Sequence, residues 1–540
     1  MVDVTNKTFE AVLPQIISEV RAATFLALDA EFTGLLANAA YKADLFDDGP
    51  RRYRKLCASM HHFSITQLGL AVFTGEVDSN SYSVSTYNFY LRPHSCASSD
   101  PIIACQTSSL EFLQRFNFDF NKWIYEGVPY MNSEEEENLQ TELSALFKGT
   151  KPVLLSFELT DHLRGVGEWV AMGCEGGTHT VAGVLDTHSQ AMLLAAIHNT
   201  FAGLWATLQD GQIVVRSVSS DERERLDAED PGRTQLVSAL VERNTGFTRL
   251  FRHLVELRKP IVLHNCILDL MLMYKQFHKR LPSSYSTFKS EVHALFPLLY
   301  DTKFVAEEMR SKYRDDAIVS KILHKTSLGE LHTALRGDLP VLYVPRLHHR
   351  PPDNKYSQES VMLHEAGYDA ILTGTCFVRM AQLCAMISLP VTAPHRPLSP
   401  REHLFTLKEY ANKIQVPRSA VSCMVLSGED RPSKRPPWLL VEGQGRGVRV
   451  TPGLVSATLA KYGRLDVQPL NNKSVLVATT SWNCLTNILS SLSSETSLQA
   501  KIYSRPRLSP LMHTFILSGA VLSTGLGAWL VYKSFKKSSS

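Results

Sequence analysis

The chain has 540 residues, a formal net charge of +3, 44% hydrophobic and 20% charged residues. That length exceeds one ordinary hydrophobic core, so two or three domains are expected, and the composition excludes an extended disordered chain. So small a charge excludes a uniformly basic nucleic-acid binder, and nine scattered Cys without a Cys-x-x-Cys pair exclude a zinc module or disulfide framework and fit a reducing compartment.

No basic segment followed by an apolar core opens the chain, so no secretory signal is expected. Residues 25–31 read as a strand whose period of two puts Asp29 and Glu31 on one face. Residues 63–73 and 87–91 read as two more strands, an antiparallel start, and residues 108–116 as a helix. Asn132-Ser133 before Glu134 to Glu137 reads as a helix N-terminus, where the macrodipole favours acids. Residues 150–245, with Gly173, Gly176 and Gly177 and a charged stretch, interrupt the pattern and read as an inserted lobe. A helix at 247–257, a strand at 260–264 and a helix at 267–277 follow, which puts Asp269 at a strand-to-helix junction. Residues 326–335 read as helical, 347–352 as a loop, and a last helix runs from about 368 to 386, with Gly367 supplying a bend that turns His364 and Asp369 inward.

Beyond a Pro-rich linker at 390–400, strand and helix signals alternate as βαββαβ between 438 and 503, within a region taken as 400–505. This is the order of an RNA-recognition motif, without stacking aromatics on its third strand at 473–478. Residues 511–532 are 22 in number and contain no Asp, Glu, Lys or Arg, enough to span a bilayer core of ~30 Å. Flanked by Arg505 and Arg507 and by Lys533, Lys536 and Lys537, they read as a transmembrane tail anchor with the body in the cytosol.

Four carboxylates (Asp29, Glu31, Asp269 and Asp369) and His364 form the chemical inventory of two-metal phosphodiester hydrolysis. Mg²⁺ prefers oxygen ligands, so carboxylates from separate elements make a suitable nest for two ions. The imidazole of His364 is the side chain best suited to take a proton from water near neutral pH. Any one acid alone reads equally well as a cap or a solvated carboxylate; the ordered set carries the reading. Gly443-x-Gly445-x-Gly447 lacks the spacing of a nucleotide loop, and His61-His62 and His348-His349 lack zinc partners.

Asp29-Ala-Glu-Phe-Thr-Gly, Ser64-Ile-Thr-Gln-Leu-Gly, Tyr87-Asn-Phe-Tyr-Leu, Phe118-Asp-Phe-Asn-Lys, His264-Asn-x3-Asp and His364-Glu-Ala-Gly-Tyr-Asp-Ala closely resemble the poly(A)-specific ribonuclease family. The resemblance covers residues 1–150 and 245–390. It implies an α/β, ribonuclease H-like exonuclease core of the DEDDh type, acting 3′ to 5′ on RNA with Mg²⁺, or Mn²⁺ as a substitute. By position it assigns Asp29, Glu31, Asp269 and Asp369 to the metals, His364 to general base, and Lys303 and Phe32 to substrate contact. For Lys303 a plain surface lysine is an equal alternative.

Family deadenylases carry a small nucleic-acid-binding lobe in the position of residues 150–245, whose basic signature is missing here. With the membrane anchor, the chain resembles the branch of that family that trims the 3′ ends of PIWI-interacting RNA precursors. For that branch the resemblance implies single-stranded RNA 3′ ends, a PIWI-bound precursor and a Tudor-domain scaffold as partners. It also implies homodimers and a place on the endoplasmic reticulum or mitochondrial outer membrane. Alternatives are a deadenylase of mRNA tails and a membrane-anchored RNA-binding scaffold with a vestigial site.

Overall fold

The computed structural model describes residues 2–503, apart from 77–79, 97–98, 174–176, 182, 184–185, 229–230, 337–342, 351–361, 389–395, 445–448 and 494–496. It divides into two units, Met1–Ser433 and Lys434–Ser540.

The larger unit is built on a seven-stranded mixed sheet. Six strands run in the order Val2–Val4, Ser81–Tyr90, Ile65–Gly75, Phe25–Phe32, Ile261–Leu263, Leu299–Asp301, and the seventh, Arg346–His349, pairs with Ser81–Tyr90 off this path. Ile65–Gly75 runs antiparallel to both neighbours, while Phe25–Phe32, Ile261–Leu263 and Leu299–Asp301 are mutually parallel. This is the layout of a ribonuclease H-like α/β fold. Side chains alternate across the sheet as a strand requires. Leu26, Leu28 and Ala30 enter one core layer with the helix Ile267–Phe277. Phe25 and Ala27 enter the other with the helix Ala366–Ser388, where the Phe25 and Phe377 rings lie 5.2 Å apart. Asp29 and Glu31 continue the Phe25–Ala27 face to the strand's end.

Three expectations for this unit are corrected. Residues 347–352 were expected to be a loop, but Arg346–His349 is a strand, parallel to Ser81–Val84 at the sheet edge. Its polar side chains gave no alternating pattern; backbone pairing holds it. The bend before the last helix does not come from Gly367: His364 itself adopts a left-handed backbone, φ 66°. The boundary expected at 400 falls between Ser433 and Lys434. Residues 400–433 belong to the larger unit because the hairpin Lys413–Gln415 with Cys423–Val425 buries Ile414, Met424 and Cys423 in its two cores.

The inserted residues form a lobe with a core of its own. The sheet runs Thr178–Val181, Gln212–Ser217, Leu204–Gln209, and the helix Thr187–Thr200 is buried from Gln190 to His198. The helix Ser133–Phe147 leads into it, and Asn132 and Glu135 close a capping box at its start, so its acidic first turn is structural.

The smaller unit has the strands Leu439–Gly443, Leu465–Asn471, Ser474–Thr479 and Leu498–Ile502, with the helices Pro452–Leu459 and Trp482–Leu492 between them in βαββαβ order. Its sheet order is second, third, first, fourth, all antiparallel, over a core of Val441, Val455, Val475, Val477, Leu485 and Ile488.

The helix Ala366–Ser388 is long and apolar enough to cross a membrane, but 78% of that stretch is buried within the unit, as its place against the sheet requires. The expected anchor at 511–532 lies outside the described residues.

Candidate active site

Parallel strands deliver side chains to a crevice at their carboxyl ends, the usual place for a ligand in an open α/β sheet. Asp29 and Glu31 stand at the end of Phe25–Phe32, where the ladder with Ile65–Gly75 slips one residue between Glu31 and Phe32. Asp269 lies in the first turn of the helix that follows Ile261–Leu263. Asp369 lies in the first turn of Ala366–Ser388. That helix approaches so closely that a Cβ on Gly69, the register partner of Asp29, would sit 2.0 Å from the Ala366 carbonyl oxygen.

Glu31, Asp269 and Asp369 are only 7–8% exposed. Ligand atoms of Glu31, His364 and Asp369 all lie within 4.8 Å of one another. Burial, then the charges of Asp369, Asp269 and Glu31, hold the Asp29 carboxyl well above the usual carboxylate range. Burial, then Asp369 and Asp269, do the same to Glu31. Asp269 is pushed up to about 7 by burial, although its own amide and that of Ala30 pull it back. Asp369 also rises to about 7 by burial, against the pull of the His364 amide. Carboxylates that repel one another in a low dielectric must take up protons or a cation. Asp369 Oδ1 is buried without a hydrogen-bond partner. An all-oxygen donor set with a free buried lone pair fits a hard divalent cation.

His364 sits at the rim. Its amide donates to Asp369 Oδ2 at 3.1 Å, and its ring Nδ1 lies 4.0 Å from the same oxygen. The ring is 38% exposed. It packs against Phe112 and Phe116, with centroids 4.6 and 4.1 Å away. Burial lowers its pKa below the ordinary histidine value, so near neutral pH it has a free lone pair to accept a proton. Sequence reading passed over Phe112 and Phe116; the available signal was two aromatics four apart at the end of the Thr107–Arg115 helix.

The remaining expected contacts separate. Phe32, the last residue of the strand that carries Asp29 and Glu31, is half-buried against the core. Lys303 stands in the first turn of Thr302–Lys312, and its charge adds to burial in pushing His264 down to about 3. Asp301, from the same short motif as Lys303, is structural. Wholly buried, it accepts the amides of Asn265 at 2.8 Å, Lys303 at 3.0 Å, Phe304 at 3.4 Å and Gln415 at 2.9 Å. It caps one helix and fixes the Asn265 turn that aims Asp269.

Fold and clustered carboxylates define the class: a phosphodiester-cleaving nuclease of ribonuclease H-like architecture. The profile described as CAF1 family ribonuclease matches residues 4–377, and the chain belongs to that family of 3′-to-5′ exoribonucleases. It is 29% identical to poly(A)-specific ribonuclease PNLDC1 of Mus musculus, over 97% of both chains. It is 27% identical to the pre-piRNA 3′-exonuclease trimmer of Bombyx mori, over 99% of both. It is 30% identical to poly(A)-specific ribonuclease PARN of Danio rerio, over 80% of this chain and 67% of that one.

Proposed function

We propose that this chain trims the 3′ ends of PIWI-interacting RNA precursors, one nucleotide at a time, at a membrane surface. The observation that carries the proposal is coverage. Similarity to the silkworm pre-piRNA trimmer spans 99% of both chains, including the region beyond the nuclease core.

Asp29, Glu31, Asp269 and Asp369 would hold two Mg²⁺ ions, or Mn²⁺ in their place. When bound, such ions stabilise charge on the attacking and leaving oxygens of an in-line displacement. His364, neutral and half-exposed, accepts the proton of the water that attacks the last phosphodiester. The bond from phosphorus to the 3′ oxygen of the preceding nucleotide breaks, and a nucleoside 5′-monophosphate leaves. Phe32 and Lys303 are assigned to the terminal nucleotide, at the strand end and the helix start that flank the carboxylates.

The smaller unit is read as an RNA-recognition-motif-like fold that has lost its stacking platform, and residues 150–245 as a counterpart of the family's nucleic-acid-binding lobe. Residues 511–532 serve as a tail anchor in the endoplasmic reticulum or outer mitochondrial membrane. Anchoring beside a PIWI-bound precursor on a Tudor-domain scaffold raises the effective concentration of a substrate that the nuclease grips weakly. A homodimer is part of the same reading.

Deadenylation is the second reading, favoured by the 30% identity to the zebrafish PARN chain. A time course on 5′-labelled RNA separates the two. Trimming predicts Mg²⁺-dependent shortening from the 3′ end on mixed-sequence RNA, stopping at the footprint of a bound PIWI protein and missing in Asp29→Ala. Shortening confined to poly(A) would favour deadenylation, and no shortening even on the PIWI-bound precursor would leave only a scaffold.

A further inference from the structure

Two amide side chains in the sheet have no part in the chemistry above, although both lie in motifs the sequence singles out. Gln67, 1% exposed, is the register partner of Glu31, and its Oε1 accepts the Ala366 amide at 3.0 Å. Asn88, wholly buried on the next strand, accepts the Gly367 amide through Oδ1 at 3.3 Å. Its Nδ2 donates to Glu365 Oε1 at 3.2 Å and to Asp3 Oδ1 at 3.4 Å, and Lys122 braces Asp3 at 2.7 Å.

The first N–H groups of a helix have no partner within it and are ordinarily met by a preceding Ser, Thr, Asp or Asn. Here the preceding residues are His364 and Glu365, and the sheet supplies the caps. Successive residues of a helix are rotated by about 100°. Holding two consecutive amides from two different strands therefore fixes both the rotation and the rise of the helix start. The close approach over Gly69 fixes its depth. Asp369 is one turn further on, its amide bonded to the Glu365 carbonyl, and His364 is bonded back to Asp369.

We infer that Gln67 and Asn88 are positioning residues: together they cap the Ala366–Ser388 helix from the sheet and set Asp369 and His364 against Glu31. Apolar side chains of the same size would fill the same space without fixing the phase of the helix. The inference rests on the nuclease reading above.

The test uses the full chain with Gln67→Met, which keeps the volume and removes the acceptor, and Asn88→Ala as a second variant. Each is measured alone and in the His364→Ala background. Expected is a loss in kcat of about tenfold to a hundredfold for each single variant, the size usual for residues that orient ligands, with KM for RNA within about twofold. In the metal-free protein, amide exchange in peptides spanning 362–370 speeds up while exchange in the Phe25–Phe32 strand does not. In the His364→Ala background the further loss shrinks to a few-fold, because residues acting through one unit are not additive. Equal losses in both backgrounds, or a change confined to KM, would overturn the inference, and so would unchanged kcat with accelerated exchange. Inactivity of the unaltered chain on every RNA would overturn the nuclease reading and this inference with it.

Discussion

The ring of Phe116 packs on the ring of His364, centroids 4.1 Å apart and planes 56° apart, and Phe112, itself packed against Phe116 at 4.9 Å, joins the same contact at 4.6 Å. A half-exposed imidazole on a left-handed residue has little else to hold its χ angles, so this contact sets where the ring proposed as general base points. Phe116→Ala is expected to lower kcat by roughly tenfold, the scale of a displaced general base, with KM for RNA nearly unchanged. Phe116→Tyr keeps the ring and should retain most of the rate. Full activity in Phe116→Ala would show that His364 needs no aromatic support.

Asp269 and Asp301 are neighbouring buried acids with different duties. Asp301 satisfies four backbone amides, so Asp301→Ala should cost stability, on the order of 2–4 kcal/mol. Asp269→Asn keeps the shape and removes charge from a crowded site. It should leave stability equal or improved while abolishing cleavage, a fall of at least about a thousandfold. Urea unfolding beside an RNA time course reads both; parallel losses in the two variants would contradict the division of labour.

Strand periodicity made the Asp29–Glu31 pair legible in the sequence, because alternation is local. Acids behind Asn132 gave the helix N-terminus for the same reason, and the structure adds the capping box between Asn132 and Glu135. Features that depend on distant residues were not legible. Arg346–His349 is a strand only because Ser81–Val84 offers an open edge. Residues 413–425 belong to the nuclease unit because Asp301 bonds the Gln415 amide and Leu299 the Asn412 amide. The bend at His364 could not be read either, since Gly367 was the obvious candidate and the strain sits on the histidine, held by its bond to Asp369. The convergence of Glu31, His364 and Asp369 joins residues more than 300 positions apart; no local pattern carries it, and the sequence grouped them only through the ordered set of motifs and the family resemblance.

The proposed RNA specificity has its own test. A 3′ end that enters a closed crevice presents its terminal 2′ and 3′ hydroxyls to the site, and those groups separate RNA from DNA. A 2′-O-methyl group on the last nucleotide should slow cleavage by at least about tenfold, and a 3′ phosphate should block it. Equal shortening of methylated and free ends, followed on 5′-labelled RNA, would remove the terminal hydroxyls from recognition.

Carboxylates with raised pKa values link metal binding to pH. Asp269 and Asp369 titrate at about 7 in the folded chain, against about 4 when unfolded. Between those values the folded state holds protons that the unfolded state has lost. These groups therefore take stability away as pH rises from about 4 to about 7, and above that both carboxyls are charged in the metal-free site. A divalent cation replaces the protons, so its stabilisation should grow over the same range. Buried neutral His264 and His403, pushed down to about 3 and about 4, cost stability as pH falls. The metal-induced shift, rather than the melting temperature itself, is then the clean readout. Millimolar Mg²⁺ or Mn²⁺ should raise Tm by several degrees at pH 8 and by much less at pH 5.5, and the difference should shrink in Asp269→Asn. A shift that is the same at both pH values would mean that these carboxylates do not hold the ion.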